Sequence, residues 1–494
     1  MNDNLLTNNE IKDFKKKSIN ILLKNNILLT PEYIEKFNSL NSKEEILEYT
    51  NTLLLKDNKS EVKDSSLNNL RPGNVRITNS YQDHFKKRTV SDFVQYYNNR
   101  FQALSGILRK RDVDNLTSID KIKSLYEKEQ ISTIAMVYDV GETKNGHFVL
   151  ELEDKTGIIK GIIMKNNEEL IQIAKNIVLD EVIAVSGVAG KDVIFINDII
   201  FPDIPLNNTI KTTPEEVYAV FTGDPQIGSK HFYKENFQKF IDWISNKKVS
   251  DKHKDIVSKI KYLIIPGDII EGVGIFPGQE NELEFQSVIE QYNLVYEYLK
   301  QIPEHIQIIM CPGNHDAVRL AEPQPAFTKK YLGNLLKLKN LHLISSPGMV
   351  SIEETDNFQG INILLYHGFS LPYYGDKVPE IRENGGLSNM SAIMKFYLQR
   401  RHFAPSHGST QFIPDIRFDP MVIEKIPDIF VTGHVHKISV DSYKNVLMMN
   451  TSAWVAPTEY QSRFGLIPDN CRAVLVNLKT RDIKILNFES EEDS

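Results

Sequence analysis

Five apolar blocks in the second half of this chain end in the same way. Residues 217–221, 262–265, 306–310, 361–366 and 429–431 are short runs rich in β-branched side chains, the pattern of strands buried on both faces. Each run breaks abruptly into small and polar residues: Gly223-Asp224-Pro225-Gln226, Gly267-Asp268, Cys311-Pro312-Gly313-Asn314-His315-Asp316, His367-Gly368 and Gly433-His434-Val435-His436. Gly and Pro punctuate the strand ends, and α/β sheets hold their ligands at strand tips. Helical periodicity over 231–245, 283–301 and 391–401, with further strands expected at 439–443, 446–450, 473–477 and 482–487, makes 206–494 a mixed α/β sandwich.

A different rhythm precedes it. Strand patterns at 131–139 and 147–153 flank the hairpin signal Lys144-Asn145-Gly146, Asp154-Lys155-Thr156-Gly157 turns the chain into 158–164, and a helical stretch over 165–178 leads to strands at 182–188 and 193–196. Three strands, a helix and two strands match a five-stranded OB-fold barrel over 131–205. Phe148 and Phe195 are the aromatic residues on these strands, which favours a docking role over strong base stacking.

Residues 1–55 read as a small helical domain suited to docking, with Thr30-Pro31 and the capping box Ser42 to Glu45 as helix starts. Residues 56–70 are a polar flexible linker. From 71 to 130 a basic helical segment is expected. Nine Lys or Arg between Arg71 and Arg111 face only Asp83 and Asp92, and Ser91 starts a helix with Phe93, Tyr97, Phe101, Leu104 and Leu108 on one face. The stripe reads as core packing or base stacking, and the basic residues as a solvated face or phosphate contacts. The expected class is therefore multidomain α+β.

Composition sets outer bounds. With 494 residues, 41% hydrophobic and 25% charged, the chain reads as an ordinary globular protein of two to four domains. It has no run of 18 apolar residues and no signal pattern at its start, so a cytoplasmic protein without a membrane partner is expected. Two cysteines, Cys311 and Cys471, argue for a reducing compartment. The net charge of -7 leaves any nucleic-acid binding to local patches.

Asp, Asn and His side chains together suit a pair of divalent ions, since carboxylate and amide oxygens serve hard cations and imidazoles favour Mn, Fe or Zn. Two ions about 3.5–4 Å apart clamp an in-line displacement at phosphorus, and Asp268 at its strand tip is placed to bridge them. In order along the chain, these motifs resemble the calcineurin-type metallophosphoesterases. The stretches 267–277, 313–325, Arg400-Arg401-His402-Phe403-Ala404-Pro405 and Asn450-Thr451-Ser452-Ala453-Trp454 resemble, more narrowly, the small-subunit family of archaeal D-family DNA polymerases. The resemblance runs from about Ser91 to the C-terminus.

That resemblance implies a 3′-to-5′ exonuclease proofreading for a separate large polymerase subunit, acting on DNA with a single-stranded or mismatched 3′ end. It implies two divalent ions, Mn2+ first and Mg2+, Fe2+ or Zn2+ as alternatives. Asp224, the position of Gln226, Asp268 and His436 would hold one; Asp268, Asn314, His367 and His434 the other. His315 would sit beside the scissile phosphate, with Asp316 orienting it. Glu271 would touch metal-bound water or cap a turn. The family has His where this chain has Gln226, a poorer donor that would weaken the first ion's site; His231 is a conceivable substitute or a surface residue. His402 and His407 are expected to be structural or DNA-facing, Arg319 to pair with phosphate or Glu322, and Trp454 and Tyr460 to be core or interface aromatics. A non-catalytic polymerase scaffold and a free-standing phosphoesterase are the competing readings.

Overall fold

The computed structural model describes residues 71–489 apart from 85, 112, 126, 127 and 458–466, and residues 11, 15–20, 36–40, 42 and 45–50 before them. Two compact units divide at Arg71/Pro72. In the first, the described residues 15–20, 36–39 and 45–50 are helical. Ser42 and Glu45 form the expected reciprocal cap, Glu45 N–H donating to Ser42 Oγ (3.2 Å) and Ser42 N–H to Glu45 Oε2 (3.3 Å). Thr30-Pro31, the 56–70 segment and Tyr460 lie outside the described residues.

The second unit carries two six-stranded sheets and a barrel. β1 (Val75–Ser80) opens it. The barrel follows: β2 (Gln130–Glu142), β3 (Phe148–Asp154), β4 (Gly157–Ile163), β5 (Val182–Gly190) and β6 (Val193–Ile200), closed in the order β2-β3-β4-β6-β5. The helix Glu168–Lys175 joins β4 to β5, with Asn167 capping the Leu170 amide. Alternation along β3 sends Phe148, Leu150 and Leu152 inward and leaves Val149 and Glu151 partly exposed.

In the sandwich, one sheet runs β10 (Leu341–Leu343), β9 (Gln307–Met310), β8 (Ile260–Ile265), β7 (Tyr218–Phe221), β16 (Arg472–Asn477) and β17 (Ile483–Asn487). The other runs β1, β11 (Gly348–Ile352), β12 (Ile361–Leu365), β13 (Ile429–Thr432), β15 (Val446–Asn450) and β14 (Ser439–Tyr443). Phe221, Ile264 and Ile309 of the first sheet meet Ile363, Leu365 and Val431 of the second in one buried cluster. Outer clusters bury helix Lys234–Ile244 through Phe240 and Trp243 against the first sheet, and helix Met390–Arg400 through Met394 and Tyr397 against the second. Covered on both faces, β7, β8, β12 and β13 are buried at every position, which is why they read as unbroken apolar runs. The parallel pairs β7/β8, β8/β9 and β12/β13 bring five strand ends to one edge.

The 71–130 stretch departs from the helical expectation. Its first part is β1, paired antiparallel with β11, because extended residues 75–80 complete the edge of a sheet the sequence places over 270 residues later. The helix Val90–Leu108 is capped by Thr89, not Ser91: the Thr89 N–H (2.7 Å) and hydroxyl (3.0 Å) both donate to Asp92. Its buried face is Asp92, Tyr96, Arg100, Leu104 and Leu108, with Phe93, Tyr97 and Phe101 only partly covered.

Arg100 accounts for the shift of face. It is fully enclosed, its Nε donating to Asp419 at 2.7 Å and its Nη1 to the Pro405 carbonyl, with its guanidinium over the Tyr97 ring at 4.8 Å. His402 Nε2 lies 2.9 Å from the same Asp419 carboxylate, and Tyr97 hydroxyl bonds His407 Nδ1 at 2.8 Å. Loss of hydration and the Arg100 charge push His402 down to about 4, so it is a neutral packing element; both histidines serve the structure. Arg319 pairs with Asp83 at 2.8 Å and with the Ala321 and Pro323 carbonyls, in place of the expected Glu322 or a phosphate. Arg76 and Lys86 are likewise paired, with Glu354 and Asp92. Arg400 fixes barrel to sandwich through a buried bond to Glu181 at 3.0 Å.

Removing one partner of a buried ion pair strands the other charge, at about 3–5 kcal/mol. Arg100→Ala is therefore expected to lower the unfolding free energy of the full chain in urea by that amount, while Arg76→Ala, exposed, shifts it by less than about 1 kcal/mol. Equal small shifts for both would show the Arg100 cluster to be dispensable.

Candidate metal centre

The five strand ends carry the expected polar residues. Asp224 and Gln226 follow β7, Asp268 follows β8, Asn314 to Asp316 follow β9, His367 follows β12, and His434 and His436 follow β13. Five of them adopt left-handed backbone: Asp224 (φ 47), Gln226 (φ 44), Asp268 (φ 48), His434 (φ 71) and His436 (φ 57). Non-glycine residues avoid that region at a cost of about 1–3 kcal/mol each, and hold it only where the surroundings impose it. Here interlocking bonds impose it. Gln226 N–H donates to the Asp268 carbonyl (3.0 Å), His434 N–H to Asp224 Oδ1 (3.0 Å), Gly433 N–H to the His367 carbonyl (2.9 Å) and His315 N–H to Asp268 Oδ1 (2.8 Å).

Two glycines admit the carboxylates. A Cβ at Gly313 would lie 2.1 Å from Asp268 Oδ1, and one at Gly433 2.4 Å from Asp224 Oδ2. Their backbone can approach these oxygens only without a side chain.

Asp268, His367 and His434 offer ligand atoms that all lie within 4.8 Å of one another. His367 Nε2 stands 3.3 Å from Asp268 Oδ2 and 3.1 Å from Asn314 Oδ1. Its Nδ1 is 2.9 Å from the Pro266 carbonyl, a bond that demands a proton on Nδ1 and directs Nε2 to the cluster. On the neighbouring side, His436 Nε2 lies 3.6 Å from Asp224 Oδ1. Gln226, Asp268, Asn314, His315, His434 and His436 all line one cleft of about 780 Å³. His231 is exposed, precedes its helix, and is not among the lining residues.

The charges are unbalanced. Burial raises the Asp268 carboxyl, but the rings of His367 and His315 outweigh it and hold Asp268 well below the carboxylate range. Burial opposes charge on His367 as well, and Asp268 overrides it, raising His367 to about 10. Asp224 is pushed well above its ordinary value by burial, with Asp268 adding to the rise against the opposing pull of His367. Loss of hydration takes His434 down to about 3 and His436 to about 4. Asp224 Oδ2 is buried with no hydrogen-bond partner among the described residues. An orphaned carboxylate oxygen beside a second carboxylate, an amide oxygen and imidazoles is a donor set that fits divalent cations.

Asp316 corrects an expectation. Its Oδ2 accepts from the Gly313 (2.9 Å) and Ile269 (3.2 Å) amides and its Oδ1 from the Tyr292 hydroxyl (3.0 Å). Burial and the Asp268 charge raise it to about 7. It shapes the turn and does not orient His315. The His315 ring is held by the Glu271 carbonyl, 2.8 Å from Nδ1. That carbonyl and the Glu271 carboxylate each accept from buried Gln279 Nε2 at 3.0 Å. Gln291 brackets Gly272 with bonds of 2.9 and 3.0 Å. Neither glutamine carries a sequence signal, since both act on backbone atoms. Trp454 is buried core, its Nε1 donating to Thr222 Oγ1 at 2.8 Å.

Comparison with known proteins follows the same lines. Residues 219–439 match the family model of the DNA polymerase alpha/epsilon B-subunit, which sets the class: a polymerase accessory chain carried on a phosphoesterase-like sandwich. The chain is 34% identical over 400 residues to the DNA polymerase II small subunit of Halobacterium salinarum, covering 80% of this chain and 75% of that one. With the DNA polymerase II small subunit of Thermoplasma acidophilum it shares 32% over 479 residues, 94% and 91% of the two chains. A solved structure described as a novel archaeal phosphodiesterase aligns at 13% identity and TM-score 0.26, over 55% of this chain and 99% of that one. The chain belongs to the DNA polymerase II small-subunit family. Among the described residues, no helix is long and apolar enough to cross a membrane.

Asp316→Ala would leave two buried amides and a hydroxyl without their acceptor, at about 1–3 kcal/mol per group. The expected result is a fall in unfolding free energy of several kcal/mol in urea. Unchanged stability with lost turnover would restore Asp316 to a role at His315.

Proposed function

We propose that this chain is a metal-dependent 3′-to-5′ exonuclease that proofreads as the small subunit of a two-subunit DNA polymerase. The observation that carries the reading is the gathering of Asp224, Asp268, Asn314, His367, His434 and His436 at one cleft, with Asp224 Oδ2 left without a partner. Family membership adds a large catalytic subunit as partner and DNA with a 3′ end as substrate.

Asp224, Gln226, Asp268 and His436 would hold one divalent ion and Asp268, Asn314, His367 and His434 a second, Mn2+ being the first choice. When bound, the ions supply charge neutralisation for the phosphate oxygens and activation of the attacking water. The protein's own groups do the rest. Asp268 stays ionised between the two halves of the donor set, fixed by the His315 amide on Oδ1. His367 keeps its Nδ1 proton on the Pro266 carbonyl and offers Nε2. His315, bonded through Nδ1 to the Glu271 carbonyl and with Nε2 4.0 Å from Asp268 Oδ2, is placed to hand a proton from Nε2 to the leaving 3′-oxygen.

Gln226 favours a second reading, a polymerase scaffold with a weakened site. A neutral amide there gives the ion on the Asp224 side a poorer donor than the family's imidazole.

Digestion of a 3′-mismatched, end-labelled primer in MnCl2, by the full chain alone and with its large subunit, tests the choice. The expected outcome is release of 3′ mononucleotides, reduced at least about 10³-fold in Asp268→Ala; no cleavage in either condition assigns the chain to the scaffold role. Gln226→His is expected to tighten Mn2+ binding about ten-fold in calorimetric titration, and an unaltered affinity would remove residue 226 from the donor set.

A further inference from the structure

If the centre acts on phosphodiesters, as proposed above, the cleft around it bears on what lies beside the phosphate. Its volume of about 780 Å³ is in the range of pockets that enclose a whole small ligand, about 300–1,000 Å³, and far exceeds a phosphate group. Two half-buried phenyl rings line it, Phe276 from the loop after β8 and Phe369 from the loop after β12, so they come from different sheets. The Phe369 ring centroid lies 5.8 Å from that of His434, at an interplanar angle of 66°; Phe369 is thus one ring away from the metal-competent cluster. Phe276 sits on a rigid base, since Gln279 ties both Glu271 and the Ile275 amide (2.9 Å). The same base holds His315.

The third feature is a cation. Arg382 is the one Lys or Arg among the described residues lining the cleft. It is exposed and forms no ion pair with the described residues; its hydrogen bond is a long one, 3.4 Å from Nη1 to the Asp376 carbonyl. In this unit most other buried or cleft-side arginines are tied to carboxylates or carbonyls, as Arg100, Arg319 and Arg400 are. An arginine left uncommitted at the mouth of an acidic cleft is suited to a phosphate.

We propose that the cleft takes the unpaired terminal nucleotide of a DNA strand, its base against Phe369 and Phe276 and a neighbouring backbone phosphate on Arg382. A base inside a duplex has its faces covered by its neighbours, so only an unstacked base can use an aromatic wall. Every base has such a face, and the recognition is therefore tolerant of sequence while selecting for fraying.

The test is equilibrium binding of an octathymidylate carrying 3′-terminal 2-aminopurine to the full chain in CaCl2, read by quenching of the fluorophore and by Kd. Quenching on binding is expected. Stacking on an aromatic is worth about 1–3 kcal/mol per base, so Phe369→Ala and Phe276→Ala should each relieve the quenching and weaken binding about ten-fold, with Phe369→Tyr restoring both. Arg382→Gln should weaken binding and lower its salt dependence while keeping the quenching. A blunt duplex with the fluorophore at the same end should bind more weakly and quench less. Unaltered quenching and Kd in both Phe→Ala variants, or equal binding of the duplex, overturns the proposal. Failure of the nuclease reading is seen separately, as absent cleavage by the unsubstituted chain in MnCl2 with binding and quenching retained.

Discussion

Two carboxylates, Asp224 and Asp268, are buried at the tips of adjacent strands, and much of the surrounding structure answers the charge problem this creates. Like charges taken out of water raise one another's pKa, and a nearby cation relieves the strain. The protein's internal remedy is partial: His367 takes a proton opposite Asp268, and Asp224 is driven toward its neutral form. With one Asp224 oxygen lacking any partner among the described residues, the site is more than an ion pair between side chains. An external positive charge is the simplest complement to it.

Holding such a site together requires backbone that most sequences avoid. The left-handed turns at Asp224, Asp268, His434 and His436 are cross-braced, each tip bonded to the next, so that none can relax alone. Both sheets contribute tips, and the apolar layer between the sheets fixes their separation. Remote contacts extend the bracing: the Trp454 N–H meets the Asp224 carbonyl at 3.1 Å while its ring packs against Phe237 and Phe240. The centre depends in this way on the helix layer over one sheet as well as on its own side chains.

The strand ends were legible in the sequence because strands buried on both faces leave unbroken apolar runs, and because glycine marks the points where backbone must pass a carboxylate. The closed barrel was legible for a related reason: its turns carry Asn-Gly and Thr-Gly signals, and its strands alternate. What escaped were pairings between distant segments. Nothing local in Val75–Ser80 tells that it closes a sheet beside β11, and an arginine such as Arg100 reads as surface until Asp419 is brought to it. Asp316 adjoins His315 in the chain, yet successive residues leaving a strand point to opposite sides, so one turns to the cleft and the other to the backbone of its own turn. The buried glutamines at 279 and 291 were illegible on the same ground, since their partners are main-chain atoms without side-chain identity.

Gln226 shows how tightly the donors are coupled. Its backbone takes the same left-handed turn as Asp224, and its amide N–H is committed to the Asp268 carbonyl, so the position is held whatever side chain it bears. A neutral amide there adds no charge and no second imidazole beside His436. For two ions sharing Asp268, the one nearer Asp224 would then depend on the Asp224 carboxylate and His436, whose ring is already kept neutral by burial. A ligand phosphate entering the cleft would bring the missing negative charge and oxygen donors to that side. The chain's departure from its family thus shifts part of the coordination from protein to substrate, and occupancy of that half would rise and fall with the strand in the cleft.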